Sequence, residues 1–458
     1  MRRGIAAATA AFAVVLLSPP AGAITPPEVD ARAVPPPGTP GPPQPMARRG
    51  ECVATAVVPG TDPGAVNPNQ LSLNLSEAWR HSRGEGQTVA VIDTGVKPGP
   101  RLPNVEGGGD FVESTDGLTD CDGHGTLVAG LIAGQPRNDG FSGVAPAARL
   151  ISIRQTSAKY SPRNPGEDPA LARASIDVTS LARAIVRAAD LGARVINVSA
   201  VTCLPANKTL DQSELGAALR YAAVEKDAVI VAAAGNIQGG MTTGSACESN
   251  PLSDPARPDD PRNWAGVSAV SIPSWWQPYV LSVGSLAPTG APSTFTMSGP
   301  WVGIAAPGEN IVSLSNGPDG GLANGQPNDQ QELFPISGTS YSSAYVAGVA
   351  ALVRSKFPEL RADEVVRRIS ATANGAARSP SNLVGAGGVD PVAALTWDIP
   401  AAPGTDAVAV KPVAAPPTPA PKDSTPRTIA FVGTGVLALA VLAIAAAVSA
   451  HRRKDTSS

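Results

Sequence analysis

Ser340 stands in the run Gly338-Thr339-Ser340-Tyr341-Ser342-Ser343-Ala344-Tyr345-Val346-Ala347-Gly348, a turn that leads into a small, apolar helix reaching Pro358. A serine at a helix N-terminus faces unpaired backbone N–H groups and the positive end of the helix dipole, a setting that favours negative charge developing beside an attacking oxygen. Serine is also a preferred N-cap, so the run alone supports two readings. Asp93 closes the strand-like run Thr88-Val89-Ala90-Val91-Ile92 and is followed by Thr94-Gly95. Active sites of open parallel sheets collect at such carboxyl ends, although turn or cap duty is the ordinary role of an aspartate there. His124 lies in Asp122-Gly123-His124-Gly125-Thr126-Leu127-Val128-Ala129-Gly130, between glycines that leave space around its ring; helix capping is its plainer role. His81, the other histidine ahead of residue 428, follows Trp79-Arg80 in a polar setting and is expected to be solvated. Asn236 ends the run Ala232-Ala233-Ala234-Gly235-Asn236. That is a common turn signal, and also a position from which an amide N–H can stabilise an oxyanion by about 3–4 kcal/mol.

Such residues need a scaffold that brings strand ends together. Besides Thr88 to Ile92, short β-branched runs recur at Arg149 to Arg154, Arg194 to Ser199, Ala228 to Ala234, Val280 to Val283 and Val302 to Ala305, the pattern of a sheet covered on both faces. Between them, Asp177 to Leu191 places Val178, Leu181, Ile185 and Ala189 on one helical face and stops at Gly192. A second helix, Asp211 to Lys226, opens with the capping-box variant Asp211-Gln212-Ser213-Glu214. Leu71, Leu75 and Trp79 have helical spacing, Leu360 to Thr372 is amphipathic, and Val389 to Ala394 closes the domain. Strands alternating with helices imply right-handed crossovers and an α/β fold with a mostly parallel sheet. The polar stretches Thr156 to Ser175 and Gly239 to Asn263 read as solvated loops or partner surfaces, and Trp275-Trp276 as packing or groove lining.

The 458 residues accommodate one large domain plus extras, and a net charge of −3 gives no electrostatic case for binding nucleic acid. Arg2-Arg3, the apolar run Ile5 to Leu17 and Ala21-Gly22-Ala23 make residues 1–23 a signal peptide. Residues 24–68 read as a proline-rich arm, extended rather than packed; 69–397 as the folded domain; and 398–427 as a proline-rich linker. Residues 428–450 are apolar and uncharged, and as a helix of about 34 Å would cross a ~30 Å hydrocarbon core. His451-Arg452-Arg453-Lys454 follow, in the tail 451–458, so the expected topology is a single pass of the cell membrane with the domain extracytoplasmic and the C-terminus cytoplasmic. In that compartment Cys52, Cys121, Cys203 and Cys247 form two disulfides with three possible connectivities, and their spacing is not that of a zinc site. No cofactor is expected; structural calcium is compatible with the sequence, but no acidic cluster locates it.

Taken together, Val91-Ile92-Asp93-Thr94-Gly95, His124-Gly125-Thr126 and Gly338-Thr339-Ser340 resemble the three signatures of the subtilisin-like serine proteases, in that family's chain order Asp, His, Ser. The resemblance spans roughly Leu71 to Leu395. It implies the three-layer subtilisin-like fold with a mostly parallel central sheet, and serine endopeptidase activity. It assigns attack to Ser340, proton transfer to His124, orientation of the imidazole to Asp93, and the oxyanion hole to Asn236 with the Ser340 N–H. It further implies that Asn197, Val198 and Ser199 form the strand that pairs with a polypeptide substrate, while Ala233, Ala234 and Gly235 wall the first specificity pocket. The chain departs from the family at Tyr341, Ser342 and Ala344, where Met, Ala and Pro are usual. Ala344 suits a helix, and Tyr341 is bulky enough to reshape the pocket behind the nucleophile. An α/β-hydrolase esterase does not fit, because no Gly-x-Ser-x-Gly surrounds Ser340 and both partners precede the serine.

A narrower resemblance rests on architecture. Signal peptide, proline-rich arm, aromatic after the serine, four cysteines and C-terminal apolar helix together resemble the mycosins, membrane-anchored subtilases of type VII secretion systems. This implies an arm wrapped on the catalytic domain, secreted proteins as substrates and association with the secretion membrane complex, with a mainly structural role there as the alternative. Within that architecture Cys52–Cys121 would fasten the arm beside the active site. Cys203–Cys247 would join two loops that leave neighbouring strands on the same edge.

Overall fold

Seven short strands build the central sheet of a computed structural model that describes residues 24–164, 166–237, 242–244, 246–328, 330–375, 380–399 and 425–455. We number them β1 (Thr88–Asp93), β2 (Val105–Asp110), β3 (Arg149–Arg154), β4 (Val195–Val198), β5 (Val229–Ala233), β6 (Val280–Leu286) and β7 (Val302–Pro307). Their spatial order is β7-β6-β5-β4-β1-β3-β2, with every neighbouring pair parallel. From β1 the chain runs to the edge strand β2, returns to β3 between them, crosses β1 to β4 and then winds outward through β5, β6 and β7. The switch point therefore lies between β1 and β4, where a crevice opens beyond the carboxyl ends of the strands.

Side chains alternate across the sheet. Val89 and Val91 of β1 face one apolar layer with Val195, Val229, Val231 and Val283, covered by helices α1 (His124–Ala133) and α4 (Thr339–Lys356). Ala90 and Ile92 face the other with Ile151, Ile153, Ile196 and Ile230, under α2 (Pro169–Asp190) and α3 (Ser213–Arg220). The result is three layers, and burial of each large aliphatic side chain supplies about 1.5–3 kcal/mol. Helix α4 is buried from Thr339 to Arg354, and its Ala, Ser and Gly residues let it lie close to the sheet and to α1. The amphipathic α5 (Ala362–Ala371) and a short helix, Pro391–Thr396, complete the body.

Several elements differ from the sequence reading. Strand β2, Val-Glu-Gly-Gly-Gly-Asp, carries too little periodic signal to be read, and its conformation is imposed by pairing with β3 at the sheet edge. Helix α2 begins at Pro169, with Asp168 as N-cap accepting from Leu171 N at 3.0 Å, so the polar stretch from Thr156 to Ser175 includes a strand, Tyr160–Pro162, and the first turns of this helix. No capping box opens α3: Asp211 instead accepts from Ser213 N at 2.9 Å ahead of the helix, and the segment continues as the π-turn Tyr221–Glu225. Leu71 is exposed, because the upstream segment is two short helices, Pro68–Ser72 and Leu75–Ala78, with Asn74 left-handed between them. Trp275 and Trp276 pack, both donating their indole N–H to Gln212 Oε1.

The proline-rich arm is extended but does pack. It docks through its main chain: Met46–Arg48 pairs antiparallel with Tyr160–Pro162, Gly41 N donates to Asp110 O at 2.8 Å, and Val53 N to Cys121 O at 3.0 Å. Cys52 is bonded to Cys121 and Cys203 to Cys247. Among the described residues the C-terminal unit is a single helix, Thr425–Asp455, whose Ala430–Val448 stretch is apolar and long enough to cross a membrane. Residues 1–23, the greater part of the linker (400–424) and the tail's last residues, 456–458, lie outside the described residues.

The Cys52–Cys121 bridge closes a loop with a sequence separation of 69. Converting both cysteines to alanine is expected to lower the unfolding free energy of the full chain by about 2–4 kcal/mol in urea denaturation.

Candidate active site

Asp93 ends β1 inside the protein with no exposure. Its Oδ1 accepts from Thr94 N and from His124 Nδ1, both at 2.7 Å. The second bond crosses between two elements and requires the start of α1 to lie almost against the end of β1. Gly125 permits this: a Cβ there would fall 2.0 Å from Gly95 O and 3.2 Å from Asp93 Cβ. Gly95, at φ +98°, turns the chain away where a side chain would meet Thr119 O at 2.1 Å.

The loop ahead of His124 is held by a residue that the sequence reading passed over. Asp120 Oδ1 accepts from Thr94 Oγ1 (2.9 Å), Asp122 N (3.1 Å) and Gly123 N (2.8 Å), and Oδ2 from Thr126 N (2.9 Å) and Thr126 Oγ1 (2.6 Å). Thr94 Oγ1 in turn accepts from Gly125 N at 2.9 Å. One buried carboxylate thus ties the turn after Asp93 to both sides of His124. Its only signal in the sequence is an acid four residues before the histidine. Burial outweighs these hydrogen bonds and pushes Asp120 up to about 6. Burial acts on His124 in the opposite sense, but the charge and hydrogen bond of Asp93, aided by Asp120 and Asp122, hold the imidazole above its ordinary value. Tyr341 packs its ring 5.4 Å from the His124 ring, at 46°, and closes the site from behind. Burial, then the charges of Asp93 and Asp120, push its phenol up, so it stays neutral.

Ser340 is not a helix cap. Gly338 holds that position, and Ser340 lies within the first turn of α4. Its hydroxyl donates to Ser199 O at 2.9 Å, and among the described residues it makes no hydrogen bond to His124. Ser340 and His124 nevertheless line one cavity of about 210 Å³, together with Asn236 and Tyr341. Asn236 is oriented through its own carbonyl: Oδ1 accepts from Thr339 N (3.0 Å) and Thr339 Oγ1 (3.1 Å), which leaves the amide N–H₂ for the cavity beside Gly338. His81 stands apart, at the surface near Glu77.

The expected substrate strand needs correction. Asn197 and Val198 belong to β4, paired with Val91 and Ile92 on one side and Val231 and Ala232 on the other, so neither offers a free edge. Asn197 instead donates to Ser199 Oγ at 2.6 Å, and that hydroxyl reaches Ser340 O and Ser343 Oγ, both at 3.3 Å. Of the three, Ser199, past the strand end, touches Ser340. Ala233, Ala234 and Gly235 are buried and lead straight into Asn236. Gly235 N donates to Thr339 Oγ1, and Gly235 O accepts from Met297 N. The Cys203–Cys247 bridge lies close by, with Cys247 Sγ 3.2 Å from where a Gly235 Cβ would sit. Among the described residues no group of three or more His, Cys, Asp or Glu side chains converges as a metal site would.

Known proteins share this arrangement of sequence and fold. The profile of the subtilase family matches residues 84–387. Mycosin-3 of Mycobacterium tuberculosis (strain ATCC 25618 / H37Rv) is 66% identical over 437 residues, 95% of each chain. The structure of MycP3 protease from the type VII (ESX-3) secretion system is 72% identical, with a TM-score of 0.79 over 82% of this chain and 100% of that one. A chain in the structure of an intact ESX-5 inner membrane complex is 47% identical, with a TM-score of 0.79 over 92% of this chain and 99% of that one.

The raised Asp120 pKa carries a sign. Between the ordinary 3.8 and about 6 the native state keeps a proton that the unfolded chain releases, so this contribution is full below pH 4 and is lost as pH rises through 6. Asp120→Asn removes it. The unfolding free energy of the wild type is expected to fall by up to about 3 kcal/mol relative to the variant between pH 4 and 7, read from urea midpoints at each pH.

Proposed function

The chain belongs to the subtilase family and, within it, to the mycosins; it is a serine endopeptidase, and we propose that Asp93, His124 and Ser340 carry the cleavage, with Asn236 stabilising the oxyanion. The observation that carries this assignment is the 2.7 Å Asp93–His124 bond, whose imidazole shares a cavity with Ser340 and Asn236.

In this reading the peptide carbonyl enters beside Ser340, whose hydroxyl leaves Ser199 O and donates to His124 Nε2. Attack forms a tetrahedral intermediate as the proton passes to the imidazole. Asp93 keeps Nδ1–H directed at itself, fixes the tautomer and stabilises the cation. The Asn236 amide and the Ser340 N–H receive the oxyanion at the positive end of α4. His124 then protonates the leaving amine, and water repeats the sequence to release the acyl group. Attack, proton transfer and charge stabilisation all come from side chains and backbone, with no organic cofactor. Ser199, beyond β4, meets the acyl side of the substrate, and Ala233 to Gly235 support the pocket wall.

The place of the ESX-5 relative in an inner membrane complex supports a proposal about location. The chain would be exported by residues 1–23, with 24–68 as its arm and 69–397 as the catalytic domain. It would be tethered by 398–427 and anchored by Ala430–Val448, with the domain outside the cytoplasm and the C-terminus inside. Its substrates would be proteins exported by a type VII secretion system, and its partner that system's membrane complex. Because the relative is part of an intact complex, a mainly structural role is the second reading. Restoring a deletion strain with Ser340→Ala separates them: full secretion favours structure, and lost processing with an intact complex favours catalysis.

Two kinetic outcomes are expected. Asn236→Ala lowers kcat by about 10²–10³ with little change in KM. The kcat/KM profile rises with pH on a limb above 6.5, because the base must be neutral and Asp93 holds His124 above that value. Asp93→Asn moves the limb down and slows the reaction by about 10⁴, measured on a peptide ester series.

A further inference from the structure

The catalytic cavity has a wall that neither family signatures nor triad geometry assigns. Besides His124, Asn236, Gly338, Ser340 and Tyr341, it is lined by Gln326 and Ser337. Gln326 lies on a two-stranded hairpin, Gly325–Pro327 paired with Leu333–Pro335, between β7 and α4. It is half-buried, and its Nε2 reaches Asp122 O at 3.5 Å, on the His124 side of the cavity. The other end of the carboxamide has no partner among the described residues. The hairpin is fixed at its base by the arm: Ala56 N donates to Gly325 O at 3.0 Å, Gly325 N to Ala56 O at 2.9 Å, and Val58 N to Asn324 Oδ1 at 2.8 Å.

The side of the scissile bond that this wall faces follows from the chemistry. The acyl side is marked by Ser199 and by Ala233 to Gly235, and none of these lines the cavity. The leaving amine departs toward His124, which protonates it. The cavity between His124, Gln326 and Ser337 therefore receives the residue just after the scissile bond. Its walls are polar at Gln326 and Ser337 and aromatic at Tyr341, within about 210 Å³. The aspartates nearest to His124, Asp93, Asp120 and Asp122, are buried behind it and make the surroundings unfavourable for an acidic group.

We propose that Gln326, set in place by the arm, is the specificity-determining residue for the leaving side of the substrate, and that it selects polypeptides with a small, neutral, hydrogen-bonding residue such as Ser, Thr or Asn immediately after the cleaved bond. This rests on the protease reading above. The Gln326 carboxamide pairs with that residue's hydroxyl or amide, and large apolar side chains gain nothing that offsets leaving Gln326 unpaired. The arm thereby acts on substrate choice, because its bridge at Ala56 sets the height of Gln326 above the nucleophile.

Acyl transfer tests this directly. The full chain in detergent micelles is acylated at Ser340 by a short peptide thiobenzyl ester, releasing the thiol. An amino-acid amide then attacks the Ser340 ester, His124 takes the amine proton and returns it to Ser340 Oγ, and a new peptide bond forms. With serine, asparagine, leucine, phenylalanine, lysine and aspartate amides in competition, serine and asparagine are expected to be captured about 5–10-fold better than leucine or phenylalanine. Gln326→Ala reduces that ratio at least about 3-fold, Gln326→Glu redirects capture toward the lysine amide, and Asn324→Ala, which loosens the arm contact, shifts the ratio in the same direction as Gln326→Ala. Unchanged ratios in both Gln326 variants, a wild-type preference for leucine or phenylalanine, or consumption of the ester with transfer to no amide would each overturn the proposal. Ester consumption that is absent, or equal in Ser340→Ala, would instead bring down the protease reading and this inference with it.

Discussion

The site depends on one short bond made inside the protein, between the Asp93 carboxylate and the His124 imidazole at 2.7 Å. Both groups are almost wholly removed from water, and burial alone would disfavour the charged form of the histidine. The bond reverses that preference only while the end of β1 and the start of α1 stay in contact. Gly125 and Gly95 remove the side chains that would separate them, and Asp120 gathers the surrounding N–H and hydroxyl groups so that neither loop can drift. Tyr341 seals the pair from behind, and the Cys52–Cys121 bridge fastens the arm to the same loop.

The rest of the fold serves this contact by delivering separate chain segments to one sheet edge. A parallel sheet places all strand ends on one side, and the switch point between β1 and β4 opens a crevice there. Helix α4 brings Ser340 in its first turn, so its N–H groups and dipole face the same space. The Ser340 hydroxyl rests on Ser199 O, in the cavity it shares with His124.

Legibility followed how local the information is. Asp93, His124, Asn236 and Ser340 each sit in a motif of several residues, and six of the seven sheet strands are β-branched enough to read from pattern alone. Strand β2 escaped because its three successive glycines carry no pattern, and its conformation comes from pairing with β3. The first turns of α2 were hidden by polar residues ahead of the apolar face. The arm's packing was illegible because it rests on main-chain bonds to distant partners such as Asp110 O and Cys121 O. That β4 has neighbours on both sides of Asn197 and Val198 is likewise set by pairing with distant segments, which the sequence does not reveal. Asp120 and Gln326 went unnoticed for the same reason: their importance lies in what folding brings beside them.

Covalent labelling of the full chain by a serine-directed fluorophosphonate, with the modified residue located by mass spectrometry, tests the central claim most directly. The account expects a single adduct on Ser340, formed faster as pH rises past 6.5, absent in Ser340→Ala and strongly slowed in His124→Ala. Labelling at another serine, or equal labelling of the wild type and His124→Ala, would contradict it.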